Sequence, residues 1–152
     1  MPRATDLPVL EQHLCFELYR ASRAMIRGYA PLLEPLGLTY AQYLVLVVLW
    51  EEDAVSVRQL GERLSLDSAT LTPLLKRLEA QGALERRRDP EDERVVRVRL
   101  TEAGRALRVQ CRDFPLQAAC SLGDFGDPAL VARITRLREE LTEIAAQLEK
   151  KA

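Results

Sequence analysis

Thiol groups are the side chains of this sequence best suited to covalent chemistry. It contains three cysteines, Cys15, Cys111 and Cys120, and one histidine, His13. A cysteine thiolate is a nucleophile that peroxides oxidise. The odd count, without a C-x-x-C pair, predicts neither a disulfide framework nor a zinc site. With a single histidine and no paired-carboxylate signature, we expect no metal, no cofactor and no enzymatic activity.

Cys15 falls near the start of a helix that we predict over residues 9–35, where apolar residues recur at helical spacing. The recurrence gives two stripes, one through Leu14 and Leu18 and one through Cys15 and Tyr19, and two stripes indicate two packing partners. Tyr19 follows Cys15 by one turn, so phenol and thiol share a face. On these residues alone, a buried apolar role for Cys15 is the simpler interpretation.

The middle of the chain has the element order of a winged helix-turn-helix. Capping residues Thr39, Ser56 and Asp67 open predicted helices at about 39–50, 57–64 and 68–81. Strands at 84–88 and 94–100 flank a polar hairpin tip. Helices from 102 to about 116 and from 129 to about 150 follow. We therefore predict a mainly α, α+β chain forming a single domain over residues 1–152, with the winged helix-turn-helix at about 39–100.

Positive charge is concentrated in the same region. From residue 58 to 112 there are 13 Lys/Arg and 9 Asp/Glu, whereas the whole chain has a net charge of -1. Such a segment is expected where a protein meets phosphate, although an ordinary exposed surface would give the same count. The second helix of the motif would lie in the major groove, and arginines beside the hairpin tip suit a minor groove. The candidate DNA-binding residues are Ser68, Thr70, Thr72, Lys76, Arg77, Arg86, Arg88, Asp92 and Arg94. We expect Asp92 to orient Arg94 through a charge-assisted hydrogen bond.

No apolar run approaches the roughly 18 residues that span a bilayer. Residues 1–12 lack the apolar core of a signal peptide. We therefore expect a cytoplasmic protein without a membrane partner.

The wing motif Asp92-Glu93-Arg94 and the following L-T-E-A-G at residues 100–104 resemble the MarR family of transcriptional regulators. More specifically, L-C-F-E-L-Y at 14–19, G-L-T-Y-A-Q-Y-L at 37–44 and L-D-S-A-T-L-T-P-L-L-K-R-L-E at 66–79 resemble the organic hydroperoxide resistance regulators, the OhrR group. The resemblance covers nearly the whole chain.

This resemblance implies a homodimeric repressor on a pseudo-palindromic double-stranded operator, with dimerisation helices at about 8–36 and 102–151. It implies that organic hydroperoxide is the inducer, that Cys15 is the oxidised thiol, and that Tyr19, Tyr29 and Tyr40 surround it. It also implies an intersubunit disulfide from Cys15 to Cys120. Tyr29 lies 14 residues after Cys15, about 21 Å along a helix, so it can reach only the Cys15 of a second copy. Cys111 has no assigned counterpart, and we expect it to be buried.

Two other functions fit parts of this pattern. One is a MarR-type repressor that binds a phenolic or carboxylate ligand without covalent chemistry. The other is a thiol peroxidase, which would need a reductant for turnover but no basic recognition helix. The variant Cys15→Ser separates the three functions. A peroxide sensor would lose its peroxide response but keep DNA binding, whereas a ligand-binding repressor would keep both DNA binding and its ligand response. A thiol peroxidase would lose turnover.

Overall fold

The computed structural model describes residues 9–150, except for the side chain of residue 11. Residues 1–8, 151 and 152 lie outside the described residues. They include the outer ends of the predicted dimerisation helices and most of residues 1–12, the segment that lacks the apolar core of a signal peptide. The chain divides into two compact units, one up to Ala118 and the other from Ala119. The prediction of one domain over residues 1–152 stays a prediction.

The described residues are mainly helical with one small antiparallel sheet, which confirms the predicted fold class. The elements in chain order are α1 (Leu14–Leu33), α2 (Tyr40–Glu51), β1 (Val55–Ser56), α3 (Val57–Leu64), α4 (Ser68–Ala80), β2 (Leu84–Arg88), β3 (Val96–Leu100), α5 (Glu102–Gln110), α6 (Phe114–Ala119) and α7 (Pro128–Glu149). The sheet order is β1-β3-β2. No single helix within residues 9–150 is long and apolar enough to cross a membrane, and α1 with α2 pass that test only as a pair bent by 79°.

The helix starts follow the predicted capping residues. Thr39 and Ser56 each form a complete capping box, in which the hydroxyl accepts from the third helical N–H and the glutamine there accepts from the capping N–H. Asp67 Oδ1 accepts from the Thr70 N–H at 2.7 Å and opens α4. These contacts satisfy backbone donors that a helix end leaves unpaired. Local sequence therefore fixes where α2, α3 and α4 begin.

The core of the first unit lies between α2, α3, α4 and the inner face of the sheet. Leu46 of α2, Leu60 of α3 and Leu71 of α4 are almost fully buried there, as is Val98 of β3. Burying a leucine side chain stabilises a fold by about 1.5–3 kcal/mol. The predicted inward faces of α3 and α4 thus pack against α2, and the opposite faces of both helices remain on the surface.

The helix predicted from Glu102 to about Leu116 is wrong beyond Gln110, because α5 ends there and α6 begins at Phe114. Pro115 gives the physical reason. In a continuous helix its ring would clash with the preceding turn and a backbone hydrogen bond would be missing. At the second position of a new helix the missing N–H costs little.

The first helix and one short strand also depart from the predicted elements. The helix predicted over 9–35 is α1 with 3-10 turns on either side, at Leu10–Gln12 and Glu34–Leu36. Strand β1 has no counterpart among the predicted strands. It consists of two residues, Val55 and Ser56, and only their pairing with Val98 and Arg97 of β3 makes them a strand. Such long-range pairing leaves no period in the local sequence.

Charged hydrogen bonds brace the wing, the β2–β3 hairpin, and join it to the rest of the unit. Arg97 donates to the buried Asp89 carboxylate and, at 3.0 Å, to the Ala54 carbonyl in the loop before β1. Asp53 Oδ1 accepts from the N–H groups of Leu100 and Ala54 at 2.9 and 2.8 Å, and its Oδ2 accepts from Arg105 at 3.0 Å. Asp53 therefore holds the root of the wing, while Arg97 links the tip end of the hairpin to the loop before β1.

We predict that Asp53→Asn lowers the free energy of unfolding by about 1 kcal/mol at pH 7, a modest loss because the carboxylate is partly exposed. Burial acts to raise the pKa of Asp53, but the hydrogen bonds from Leu100, Ala54 and Arg105 outweigh it and lower the pKa. The contribution is therefore present above the unfolded pKa, about 3.9, and lost as pH falls through the lower folded pKa.

Urea unfolding at fixed protein concentration, followed by the fluorescence of the single tryptophan, measures this difference at pH 7 and at pH 3. The gap between wild type and Asp53→Asn should narrow at pH 3. Asp113→Asn, at an exposed position in the segment between α5 and α6, is the control and should leave stability unchanged at both pH values. The role given to the Asp53 carboxylate would be contradicted if wild type and Asp53→Asn had the same free energy of unfolding at pH 7, or if their difference did not change with pH.

Candidate nucleic-acid interface and thiol site

The outer face of α4 presents most of the predicted base-reading residues. Ser68, Thr70, Lys76 and Arg77 are exposed, whereas Thr72 is half-buried. The pattern follows from the burial of Leu71, Leu75 and Leu78 on the other face. Hydroxyl and cationic side chains on a free helix face can reach base edges and phosphates in a major groove. Whether they do so in this chain stays a prediction.

The wing tip confirms the expected pairing of Asp92 with Arg94. Arg94 donates from Nε to Asp92 Oδ1 at 2.9 Å and from Nη2 to Asp92 Oδ2 at 3.1 Å. These side-chain bonds, with one from the Arg94 backbone, lower the pKa of Asp92. The Arg94 side chain is nevertheless 90% exposed. Arg88, also exposed, donates to the Glu93 carbonyl at 2.8 Å. The tip thus holds one guanidinium in a fixed, outward position.

Arg86 is placed differently from the other candidate DNA-binding residues. Its Nε and Nη2 donate to Glu79 Oε2 at 3.0 and 2.6 Å, and its backbone N–H donates to Glu79 Oε1 at 3.0 Å. The side chain is only 26% exposed. These bonds tie β2 to α4, so the geometry favours a role for Arg86 in positioning the wing over a free phosphate contact.

A cleft of about 430 Å³ lies between the start of α3, α4 and the wing. Its polar lining is Ser56, Arg58, Thr72, Arg86 and Arg94. Ser56 and Arg58 are not among the residues predicted from sequence. The sequence signal for Arg58 as a DNA-binding residue is weak, because it is an exposed arginine in the first turn of a capped helix and nothing more. Only the fold brings it beside the two wing arginines.

The thiol of Cys15 is exposed at the second residue of α1, on a helix that its own unit covers poorly. Every residue from 18 to 27 is exposed. Tyr19, one turn after Cys15, is exposed too, and Arg23 Nη1 donates to its hydroxyl at 2.7 Å. The Arg23 guanidinium also lies 5.4 Å from the Tyr19 ring centroid. Arg23 is a neighbour of the phenol that the sequence pattern did not reveal.

Tyr29 and Tyr40 lie together at the far end of α1, with ring centroids 4.8 Å apart. Tyr43 joins them, 5.6 Å from Tyr29. Burial raises the pKa of Tyr29 and Tyr40, and burial together with its neighbours raises that of Tyr43 to about 12. All three phenols are therefore protonated donors at neutral pH. The structure brings Tyr29 and Tyr40 together, at the opposite end of α1 from the Cys15 of the same chain.

The other two cysteines differ sharply in environment. Cys111 is buried, which confirms the expectation, and burial raises the pKa of its thiol to about 11. Cys120 is exposed in a 3-10 turn, Cys120–Leu122, of the second unit. All three cysteines are free thiols. Within residues 9–150, no group of three or more His, Cys, Asp or Glu side chains could hold a metal ion.

The fold and the exposed basic face define a winged helix-turn-helix DNA-binding protein. Comparison with known proteins identifies its family. The MarR family model matches residues 38–96. Over 115 residues the chain is 52% identical to the organic hydroperoxide resistance transcriptional regulator of Bacillus subtilis (strain 168), covering 76% of this chain and 78% of that protein. The chain therefore belongs to the MarR family of transcriptional regulators, which are not enzymes.

Solved structures agree. The chain is 35% identical to AbfR, a Staphylococcus epidermidis protein, in its reduced form bound to DNA, with a TM-score of 0.74 covering 91% of this chain and 94% of that one. A structure of disulfide-formed AbfR is 33% identical, with a TM-score of 0.67 over 93% and 92%. BpsR of Bordetella bronchiseptica, whose DNA binding is regulated by 6-hydroxynicotinic acid, is 28% identical, with a TM-score of 0.77 over 90% and 98%. These neighbours support DNA as a partner, and dimers are typical of the family.

We predict that Arg94→Ala weakens binding to specific and unrelated duplexes alike, because an exposed wing-tip arginine reads the shape and charge of DNA. The slope of log affinity against log salt should fall by about 1 for each protomer that contacts DNA. Fluorescence anisotropy across a salt series measures both. Arg136→Ala is the control, since Arg136 is 82% exposed, a fraction close to that of Arg94, and is paired with Glu140 at 2.9 Å on α7. An unchanged slope for Arg94→Ala would remove the wing assignment.

Proposed function

We propose that this MarR-family regulator is a homodimeric redox-sensing repressor that leaves a pseudo-palindromic operator when an organic hydroperoxide oxidises Cys15. One observation carries the proposal. The Cys15 thiol is exposed on the open face of α1, one turn before Tyr19, in a chain 52% identical to an organic hydroperoxide resistance regulator. Cys111 cannot take this role, because its buried thiol stays protonated.

The exposed face of α1 supports the dimer. Leu14, Leu18, Met25 and Ile26 are all exposed there, and apolar area left in water is unfavourable by about 25 cal/mol per Å². A second copy crossing antiparallel about a two-fold axis near Ser22 would cover this face. In such a contact residue 15 of one copy meets residue 29 of the other. The protonated phenols of Tyr29 and Tyr40 would then donate to the partner's Cys15.

The chemistry follows from that placement. The Cys15 thiolate attacks the terminal peroxide oxygen, the O–O bond breaks, and the alkoxide takes a proton and leaves as an alcohol. Cys15 becomes a sulfenic acid. The thiol of Cys120 in the second protomer then attacks the sulfur, water leaves, and an intersubunit disulfide forms. Phenol donors stabilise the initial thiolate, and the apolar side chains of Phe16 and of the partner's Ile26 would favour an organic peroxide.

Oxidation would release DNA through geometry. The two α4 helices of a dimer must meet half-sites about 34 Å apart, or a multiple of that distance. A disulfide across the interface repositions the dimerisation helices, and with them the two reading helices. A small rotation is sufficient, because the spacing of the half-sites is fixed by the duplex.

A second candidate is a repressor that responds to a non-covalent ligand. A pocket of about 250 Å³ lies between α2 and α5, lined by Tyr43 and Trp50 on one side and by Arg108 and Arg112 on the other. Aromatic and guanidinium groups suit a phenolic or carboxylate ligand, and the relative BpsR responds to 6-hydroxynicotinic acid. In that case Cys15 would be incidental, and peroxide would have no effect on DNA binding.

We predict that cumene hydroperoxide releases the wild-type protein from the DNA upstream of its own gene, and that dithiothreitol restores binding. Cys15→Ser should bind DNA and ignore the oxidant. Cys120→Ser should bind and be released, but reduction should no longer rescue it after prolonged exposure, because the sulfenic acid proceeds to irreversible forms. Cys111→Ala is the control and should behave like wild type. A gel shift gives all four results, and release of Cys15→Ser by peroxide would refute the sensor.

We also predict that Tyr29→Phe slows oxidation of Cys15 about tenfold, the equivalent of one lost hydrogen bond. Mixed dimers of Cys15→Ser and Tyr29→Phe chains show which copy supplies the phenol. The sole Cys15 then lies on the chain without Tyr29, so a normal oxidation rate indicates supply from the partner. A rate as slow as that of the Tyr29→Phe homodimer would place the contact within one chain and contradict the antiparallel arrangement.

A further inference from the structure

The cleft between α4 and the wing lies where a DNA strand would pass if both elements contact the duplex. If α4 lies in the major groove and Arg94 enters the neighbouring minor groove, one sugar-phosphate strand must pass between them, because a single strand separates the two grooves. The space between α4 and Arg94 is the cleft of about 430 Å³ lined by Ser56, Arg58 and Thr72. The strand therefore has to cross the cleft.

We propose that this cleft seats a backbone phosphate of the operator and that Arg58 binds it, as a DNA contact outside both the reading helix and the wing. The proposal rests on the DNA-binding part of the proposed function and is independent of the cysteine chemistry. The ligand is a phosphodiester in a duplex, so the contact carries charge and register but no base preference.

Arg58 is the cleft arginine outside the wing that is free to take a new partner. Its side chain is 87% exposed and makes one hydrogen bond, from Nε to Glu62 Oε1 at 2.8 Å. Arg86, by contrast, is 26% exposed and bound twice by the Glu79 carboxylate. An exposed pair within one helix is weak, whereas a guanidinium can bind a phosphate through two parallel bonds. Arg58 can therefore exchange Glu62 for phosphate.

Glu62 acquires a role from this exchange. All three cleft arginines are already paired with a carboxylate, Arg58 with Glu62, Arg86 with Glu79 and Arg94 with Asp92. The cleft is thus close to neutral before DNA arrives. Glu62 would compete with the phosphate for Arg58 and would remain beside it as a like charge. Removing its charge should strengthen DNA binding.

The test is the salt dependence of DNA binding by the reduced full-length protein, measured by anisotropy from about 50 to 200 mM KCl, a range over which phosphate contacts change affinity strongly. The variants are Arg58→Ala, Arg58→Lys, Glu62→Gln and Arg136→Ala. Arg136 is a matched control, because it pairs with Glu140 four residues on, from Nε at 2.9 Å, and is 82% exposed. Each variant is measured on the upstream DNA and on an unrelated duplex.

We expect Arg58→Ala to lose affinity on both duplexes and to lower the salt slope by about 0.9 for each protomer on DNA. Arg58→Lys should retain the slope, because it retains the charge, and should lose only part of the affinity. Glu62→Gln should bind several-fold more tightly than wild type. Arg136→Ala should match wild type in slope, the quantity that counts phosphate contacts.

A wild-type slope for Arg58→Ala, or weaker binding by Glu62→Gln, would overturn the phosphate seat and leave the proposed repressor intact. An equal drop in slope for Arg136→Ala would also overturn it, because the effect would then be one of net charge. Failure of the reduced wild type to bind either duplex would overturn both this inference and the proposed function.

Discussion

The first helix does not bury its own apolar face, and the proposed mechanism depends on that constraint. In α1 every residue from 18 to 27 is exposed, among them Leu18, Met25 and Ile26. A helix of this length gains most of its stability from packing an amphipathic face, not from intrinsic propensity. The face therefore needs a partner. A second copy would supply one, and the same contact would bring the Cys15 thiol to phenols that its own chain holds at the other end of α1.

The DNA-reading part of the molecule has the opposite character, since its pieces are fixed to one another. Leucines of α3 and α4 pack on α2, while Asp53 binds the root of the wing and Arg97 bonds to the loop before β1. The pair of Arg86 and Glu79 joins the wing directly to α4. A rigid reading head suits the proposed response at a dimer interface, because displacing α1 would change the spacing between two heads without distorting either of them.

Local sequence signals accounted for the elements and their starts. The capping boxes at Thr39 and Ser56 and the cap at Asp67 depend on residues three positions apart, so they can be read without a fold. The pairing of Asp92 with Arg94 is local in the same way. Pro115 is a local signal as well, but a proline can either end one helix or open the next, so it does not by itself fix the boundary between α5 and α6.

What the sequence did not reveal depends on contacts between distant segments. Strand β1 exists only beside β3, and Arg86 is held by Glu79 of the preceding helix. Arg58 looks like any exposed helical arginine until the fold places it in a cleft with Arg94. The redox roles proposed for Cys15 and Cys120 rest on the family resemblance, since exposure and spacing alone do not distinguish a sensor thiol from an ordinary one.

Sedimentation equilibrium of the reduced protein, at the concentrations used for DNA binding, shows whether a second copy completes α1. We expect one species of twice the chain mass of 17.2 kDa, with no dissociation across that range. A species at the mass of a single chain would contradict it, because neither the partner's phenols nor the fixed half-site spacing could then exist.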